Sequence, residues 1–192
     1  MTTPLANPLE VLEFWYEGDP TAWRRDPWFT KRPEFDDAIR DRFGPTVAAA
    51  QSGALDHWTA DDQGTLALLL VLDQFARNIH RGSALSFAGD ERARRIVRRA
   101  LADGIEARVT AVQRAFLYLV IEHSEAMVDQ DVSVRLFESL PETEWKPRMV
   151  DFAWRHLVVI RDFGRYPHRN AVLGRESTPE EIAFLGQPGS RF

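Results

Sequence analysis

The chain contains no cysteine. Disulfides, thiolate nucleophiles and cysteine-ligated zinc are therefore excluded, and the absence fits a reducing cytoplasm, which is the expected location. Long apolar runs are also missing. The longest, Leu66–Leu72, falls far short of the roughly 18 residues that a membrane helix needs, so no membrane partner is expected. The opening segment, Met1-Thr2-Thr3-Pro4-Leu5-Ala6-Asn7-Pro8, lacks the basic start and apolar stretch of a secretory leader. No stretch alternates with period two, and no Asn-Gly or Asp-Gly turn joins two β-rich runs, so a sheet built of hairpins is excluded. There is no Gly-rich phosphate loop, no H-E-x-x-H zinc motif and no G-x-S-x-G elbow. A net charge of -5, from 24 basic and 29 acidic residues, argues against nucleic-acid binding driven by bulk charge.

What remains is a helix former. The 192 residues are 44% hydrophobic and 28% charged, with six Trp and twelve Phe. That is enough to bury a core without metals or disulfides, and one domain over 1–192 is expected. Asn7-Pro8 reads as an N-cap and first helical residue, and Gly18-Asp19-Pro20 stops that helix. The stretch to Pro33 holds Trp23, Trp28 and Phe29 and reads as a turn region packed by its aromatics. Pro33 opens a second helix, which Gly44-Pro45 should break or kink. Thr59 is the expected cap of a long helix reaching about Ile79. Further helices start at Ser86 or Asp90, at Thr110, and, after a break near His123-Ser124, at about Met127. The last two are Lys146 to Phe163, closed by Gly164, and a short helix opened by the capping box Thr178-Pro179-Glu180-Glu181. Short connections predict an all-α fold of antiparallel helix hairpins.

Polar side chains enter the apolar faces of these helices at a few places. Asp73, Arg77 and Arg81 continue a leucine stripe at four-residue spacing. Arg77 is then either an anion clamp oriented by Asp73 or one half of an ion pair at the mouth of the core. In Tyr118 to Asp129, unbroken helical spacing puts Tyr118, Glu122, Glu125 and Asp129 on one face and His123 on another. Two carboxylates sharing a dry pocket could do acid/base chemistry or hold a hard cation; on an exposed face they would be a solvated stripe. His156 interrupts the stripe Phe152, Val159 and Phe163. After Gly164, Arg165, His168 and Arg169 with Asn170 make a donor cluster suited to carboxylate or phosphate. The plainer reading is a strap whose arginines pair with Glu122, Glu125 or Asp73. The basic run Arg92, Arg94, Arg95, Arg98 and Arg99 lies opposite Ile96, Val97, Ala100 and Leu101, which marks a solvated basic face. Paired Glu-x-x-His motifs are absent, so no metal site is expected.

Several of these segments together resemble a bacterial family known as domain of unknown function 924. They are Leu72-Asp73-Gln74-Phe75-Ala76-Arg77-Asn78-Ile79-His80-Arg81-Gly82, Glu122-His123-Ser124-Glu125, Phe163-Gly164-Arg165-Tyr166-Pro167-His168-Arg169-Asn170, and the tail Leu173-Gly174-Arg175-Glu176-Ser177-Thr178-Pro179-Glu180-Glu181. The opening Val11-Leu12-Glu13-Phe14-Trp15 is similar to that family's start. Ala76 departs from it, since the family often has proline there. The resemblance implies an all-helical fold like that of tetratricopeptide-repeat proteins, and no settled reaction or cofactor.

The expected function is binding of a small anionic or zwitterionic molecule, or a peptide, in a polar cleft between helices. The residues expected to line it are Asp73, Arg77, Glu122, His123, Glu125, Arg165, His168, Arg169 and Asn170. One alternative is an acid/base or metal-assisted hydrolase using His123 or His168 with Glu122 or Glu125. Another is a scaffold whose charges satisfy one another.

Overall fold

The computed structural model describes residues 4–190, and these form helices and turns with no strand. Residues 1–3, part of the opening segment read as no leader, lie outside the described residues. No helix among the described residues is long and apolar enough to cross a membrane. The chain divides into two compact units, 1–81 with 85–120 and 82–84 with 121–192.

In the first unit, helix α1 (Pro8–Tyr16) opens on a full capping box, with Asn7 accepting from Glu10 and the Glu10 side chain accepting from the Asn7 main chain. A helical turn at Arg25–Trp28 follows. Its Trp28 indole donates to the Trp15 carbonyl at 3.0 Å, and the Trp28 ring meets Phe116 edge-on at 4.9 Å. Helix α2 (Pro33–Ser52) corrects the expected break, because it runs through Gly44-Pro45 without interruption. Proline removes one helical hydrogen bond, but Ile39, Phe43, Val47 and Ala50 bury one continuous face on either side of it, and that burial holds the helix together.

The next element, α3 over 62–79, differs from the expected uniform helix in two ways. Its cap is Asp61, whose carboxylate accepts from Gly64 N at 2.7 Å. Thr59 instead lies in the preceding 3-10 turn Asp56–Ala60. The helix then widens into a π turn at Val71–Phe75 before resuming at Ala76–Ile79. There the Ala76 N–H reaches back to the Val71 carbonyl. Helix α4 (Asp90–Ala102) begins after Gly89. Glycine is required at that point, because a Cβ there would sit 2.9 Å from the Leu72 carbonyl oxygen.

The division between the units falls within α5 (Ala111–Glu122). In the second unit α6 (Met127–Glu138) and α7 (Lys146–Phe163) pack against each other. Gly164, at φ 69°, closes α7 in the left-handed region that glycine tolerates best. The chain then makes a 3-10 turn at Pro167–Arg169 and ends in α8 (Pro179–Leu185), whose Thr178–Glu181 capping box is present. Val159, Ile160 and Tyr166 form the centre of an apolar cluster, with Phe163 and Phe184 packed against it.

Candidate functional site

The charged residues singled out in the first unit are tied to each other. Arg77 reaches Asp73 at 2.8 Å and makes a two-pronged bridge to Asp90, both bonds at 3.0 Å. Asp73 and Asp90 are buried, and the Arg77 guanidinium also lies 5.6 Å from the Phe87 ring centroid. Asp90 was absent from the expected constellation, because it is 13 residues from Arg77 and nothing in helical spacing links them. Arg81 behaves similarly: it bridges the buried Asp36, which also accepts from Asn78 at 2.7 Å. In the basic run, Arg92 bridges Asp56 and Arg99 bridges Asp103.

In the second unit, the expected common face of Tyr118, Glu122, Glu125 and Asp129 does not exist. Helix α5 ends at Glu122 and α6 begins at Met127, so the helical spacing does not carry across the intervening turn. Ser124 donates to Asp129 at 2.6 Å across that turn. Glu125 moves to the loop after α7: it accepts from Tyr166 N at 2.8 Å and from both terminal nitrogens of Arg175 at 2.7 and 3.0 Å. Burial raises the Glu125 pKa, but Arg175 and the Tyr166 N–H outweigh it, and the carboxyl is held below its ordinary range.

Arg165 also takes a different partner from those expected. It grips Glu181 through Nε at 2.6 Å and Nη2 at 2.9 Å and donates to the Glu176 carbonyl. Asn170 is buried among Ser177, Glu181 and Arg175. Glu181 is thus a node joining Arg165, Asn170 and the N-terminus of α8, and Arg165 lowers its pKa to about 2. Sequence reading saw Glu181 only as part of a cap. A carboxyl with a depressed folded pKa stabilises the protein above its unfolded value and loses that contribution as pH falls. Glu181→Gln is therefore expected to cost about 2–3 kcal/mol at pH 7. The gap from wild type in urea unfolding should narrow as pH drops from about 4.5 toward about 2. A pH-independent gap would show that the Glu181 charge contributes nothing.

A different set of side chains gathers around Tyr166. Its hydroxyl donates to the Glu122 carbonyl at 2.6 Å and accepts from Gln130 at 2.9 Å. The Tyr166 ring, fully buried, is met by His156 edge-on at 5.5 Å and by His168 at 5.6 Å. The Arg169 guanidinium lies 4.5 Å over the same ring, a favourable cation–π distance. His123 reaches His156 at 6.3 Å between ring centroids. His123, in the turn after α5, and His156, on α7, thus lie close together.

His156 lies at the bottom of this group. Its Nδ1 is 2.8 Å from the Phe152 carbonyl and 3.4 Å from a Glu122 carboxylate oxygen. A carbonyl only accepts, so Nδ1 carries the proton and Nε2 is the basic nitrogen. Burial holds the His156 pKa well below the usual imidazole value; the Phe152 bond opposes this, and the charges of His123, Arg169 and His168 add to it. Glu122 and Arg169 are buried, whereas His123 and His168 are half-buried. Among the described residues, no three His, Asp or Glu side chains are grouped as a metal site would need.

Comparison with known proteins gives two likenesses. The model of a family described as bacterial protein of unknown function (DUF924) matches residues 11–189. A solved structure, the protein of unknown function ATU0120 from Agrobacterium tumefaciens, superposes with a TM-score of 0.83 at 35% identity, covering 93% of this chain and 96% of that one. Among curated proteins there is no match.

Proposed function

The chain belongs to the bacterial DUF924 family, and we propose that it binds a small anionic or zwitterionic molecule at the basic cluster around Tyr166. One observation carries this reading. His123, from the turn after α5, and His168 and Arg169, from the loop after α7, collect around Tyr166 and the buried His156. A guanidinium backed by an aromatic face keeps its planar fork and needs little reorganisation to meet a carboxylate. Two half-buried imidazoles supply further donors from the solvent side. Glu122, buried beside His156, offers a carboxylate for the cationic end of a zwitterion.

Of the residues first read as a possible site, Asp73, Arg77, Glu125, Arg165 and Asn170 are engaged in internal bridges. In this reading they are supports, and the Tyr166 cluster is preferred because three imidazoles and a guanidinium meet at one place, not for any lack of partners of their own. Ligand contact is assigned to His123, His168 and Arg169, with Glu122 behind them. The hydrolytic alternative loses Glu125 as a base, because its two oxygens accept from Arg175.

Calorimetric titration with acetate, succinate, glycine, glutamate and inorganic phosphate tests the proposal. At least one of these should bind, and Arg169→Gln should weaken it tenfold or more, which is about 1.4 kcal/mol. His168→Ala, at a half-buried position, should weaken the same probe with the fold intact by circular dichroism. If none of these anions binds wild type, or if both variants bind as wild type does, the proposal is wrong and the cluster is structural.

A further inference from the structure

A cavity of about 550 Å³ lies within the first unit, and none of the residues around Tyr166 lines it. The 3-10 turn before α3 and the first turn of α3 line one part of it, and α4 and the turn Ile105–Ala107 line the rest. Its volume falls within the range of ordinary small-molecule sites. Sequence spacing marked this face of α4 as merely solvated.

The charges of the cavity are unevenly committed. Arg92 bridges Asp56, Arg99 bridges Asp103 at 2.7 Å, and Arg108 holds Asp62 with two bonds at 2.6 and 2.9 Å. Asp61 caps α3, so the positive end of that helix offsets its charge. Arg95 is exposed and makes no ion pair with any described residue. It stands between Arg92 and Arg99 on one face of α4, beside Ile96. Ile96, Ala100 and Ile105 give the cavity an apolar component.

We infer that this cavity holds the carboxylate of a small organic acid or of a peptide C-terminus on Arg95, with its short apolar body against Ile96 and Ile105. One uncommitted guanidinium matches one carboxylate in a two-pronged bridge. A phosphate dianion fits less well. The three neighbouring guanidiniums are already neutralised, and four aspartates, Asp56, Asp61, Asp62 and Asp103, line the same space.

Calorimetry of the full chain with hexanoate, an N-acetylated leucyl-alanine, its C-terminal amide and inorganic phosphate tests this. At least one of the two free carboxylates should bind, and the amide and phosphate should not. If the dipeptide binds better than hexanoate, the peptide end is the preferred source; the reverse favours a free acid. Arg95→Gln should cut the response tenfold or more. Ala60→Trp, at an exposed lining position, should do the same by filling space without removing a charge. The response should persist in Arg169→Gln, which separates this site from the Tyr166 cluster. Absence of carboxylate binding, equal or stronger phosphate binding, or full affinity in Arg95→Gln would overturn the inference.

Discussion

Gly64→Ala is expected to cost the first unit about 3 kcal/mol or more, or to prevent it from folding. A Cβ at this position falls 2.0 Å from the Trp58 carbonyl oxygen and 2.9 Å from its carbon. Both are main-chain atoms, so no rotamer change relieves the clash. Neither side can easily retreat. Trp58 is held by its buried indole, and Gly64 lies in the first turn of α3, where its N–H is bonded to Asp61. Gly44→Ala is the matched control. It also sits in a helix, but outside its own helix backbone and chain neighbours a Cβ there meets nothing within 4 Å; the lower backbone entropy of the unfolded chain is offset by the crowding of a Cβ against the following Pro45, so its stability should stay within about 1 kcal/mol of wild type. Urea unfolding of both variants decides the matter. If Gly64→Ala lies within 1 kcal/mol of wild type, the close approach of the turn Asp56–Ala60 to α3 is not a real constraint on this chain.

The second large effect is a loss of stability in mild acid that passes through His156. In the folded protein its pKa lies well below 6.5, first because it is buried and then because His123, Arg169 and His168 surround it. Unfolding restores the ordinary value, so below that value the unfolded chain binds a proton that the folded one does not. The contribution of neutral His156 is full above pH 6.5 and is lost as pH falls below it. His156→Gln keeps a donor for the Phe152 carbonyl and removes the titration. Its unfolding midpoint should therefore fall less steeply with acid than that of wild type. Parallel slopes for the two proteins would mean that His156 is not the group that takes up the proton.

Local signals in the sequence read well wherever the physics is local. The cap at Asn7, the capping box at Thr178, the stop at Gly164 and the break near His123 involve side chains and main-chain groups within a few residues of one another. Three-four spacing of apolar residues located the helices between them. The reading failed at three places. Gly44-Pro45 should have broken α2, but the buried face on both sides carries the helix through. The cap assigned to Thr59 went to Asp61. The π turn at Val71–Phe75 leaves no mark in apolar spacing.

The charged residues set among apolar helices were visible from the start, and their chemistry followed from their type. Their partners did not. A carboxylate can pair with any arginine the fold brings within about 3 Å, and spacing along the chain ranks only neighbours a turn away. Asp73 with Arg77 was such a neighbour and could be read. Asp90 with Arg77, Glu181 with Arg165 and Arg175 with Glu125 lie 13, 16 and 50 residues apart, and only tertiary structure selects them. The gathering of His123, His156, His168 and Arg169 around Tyr166 is of the same kind. The sequence by itself determined an all-helical chain carrying polar groups in its apolar faces, because helix periodicity and capping are local. Tertiary structure alone decided which of those groups became struts and which converge, because ion pairing is set by distance in space.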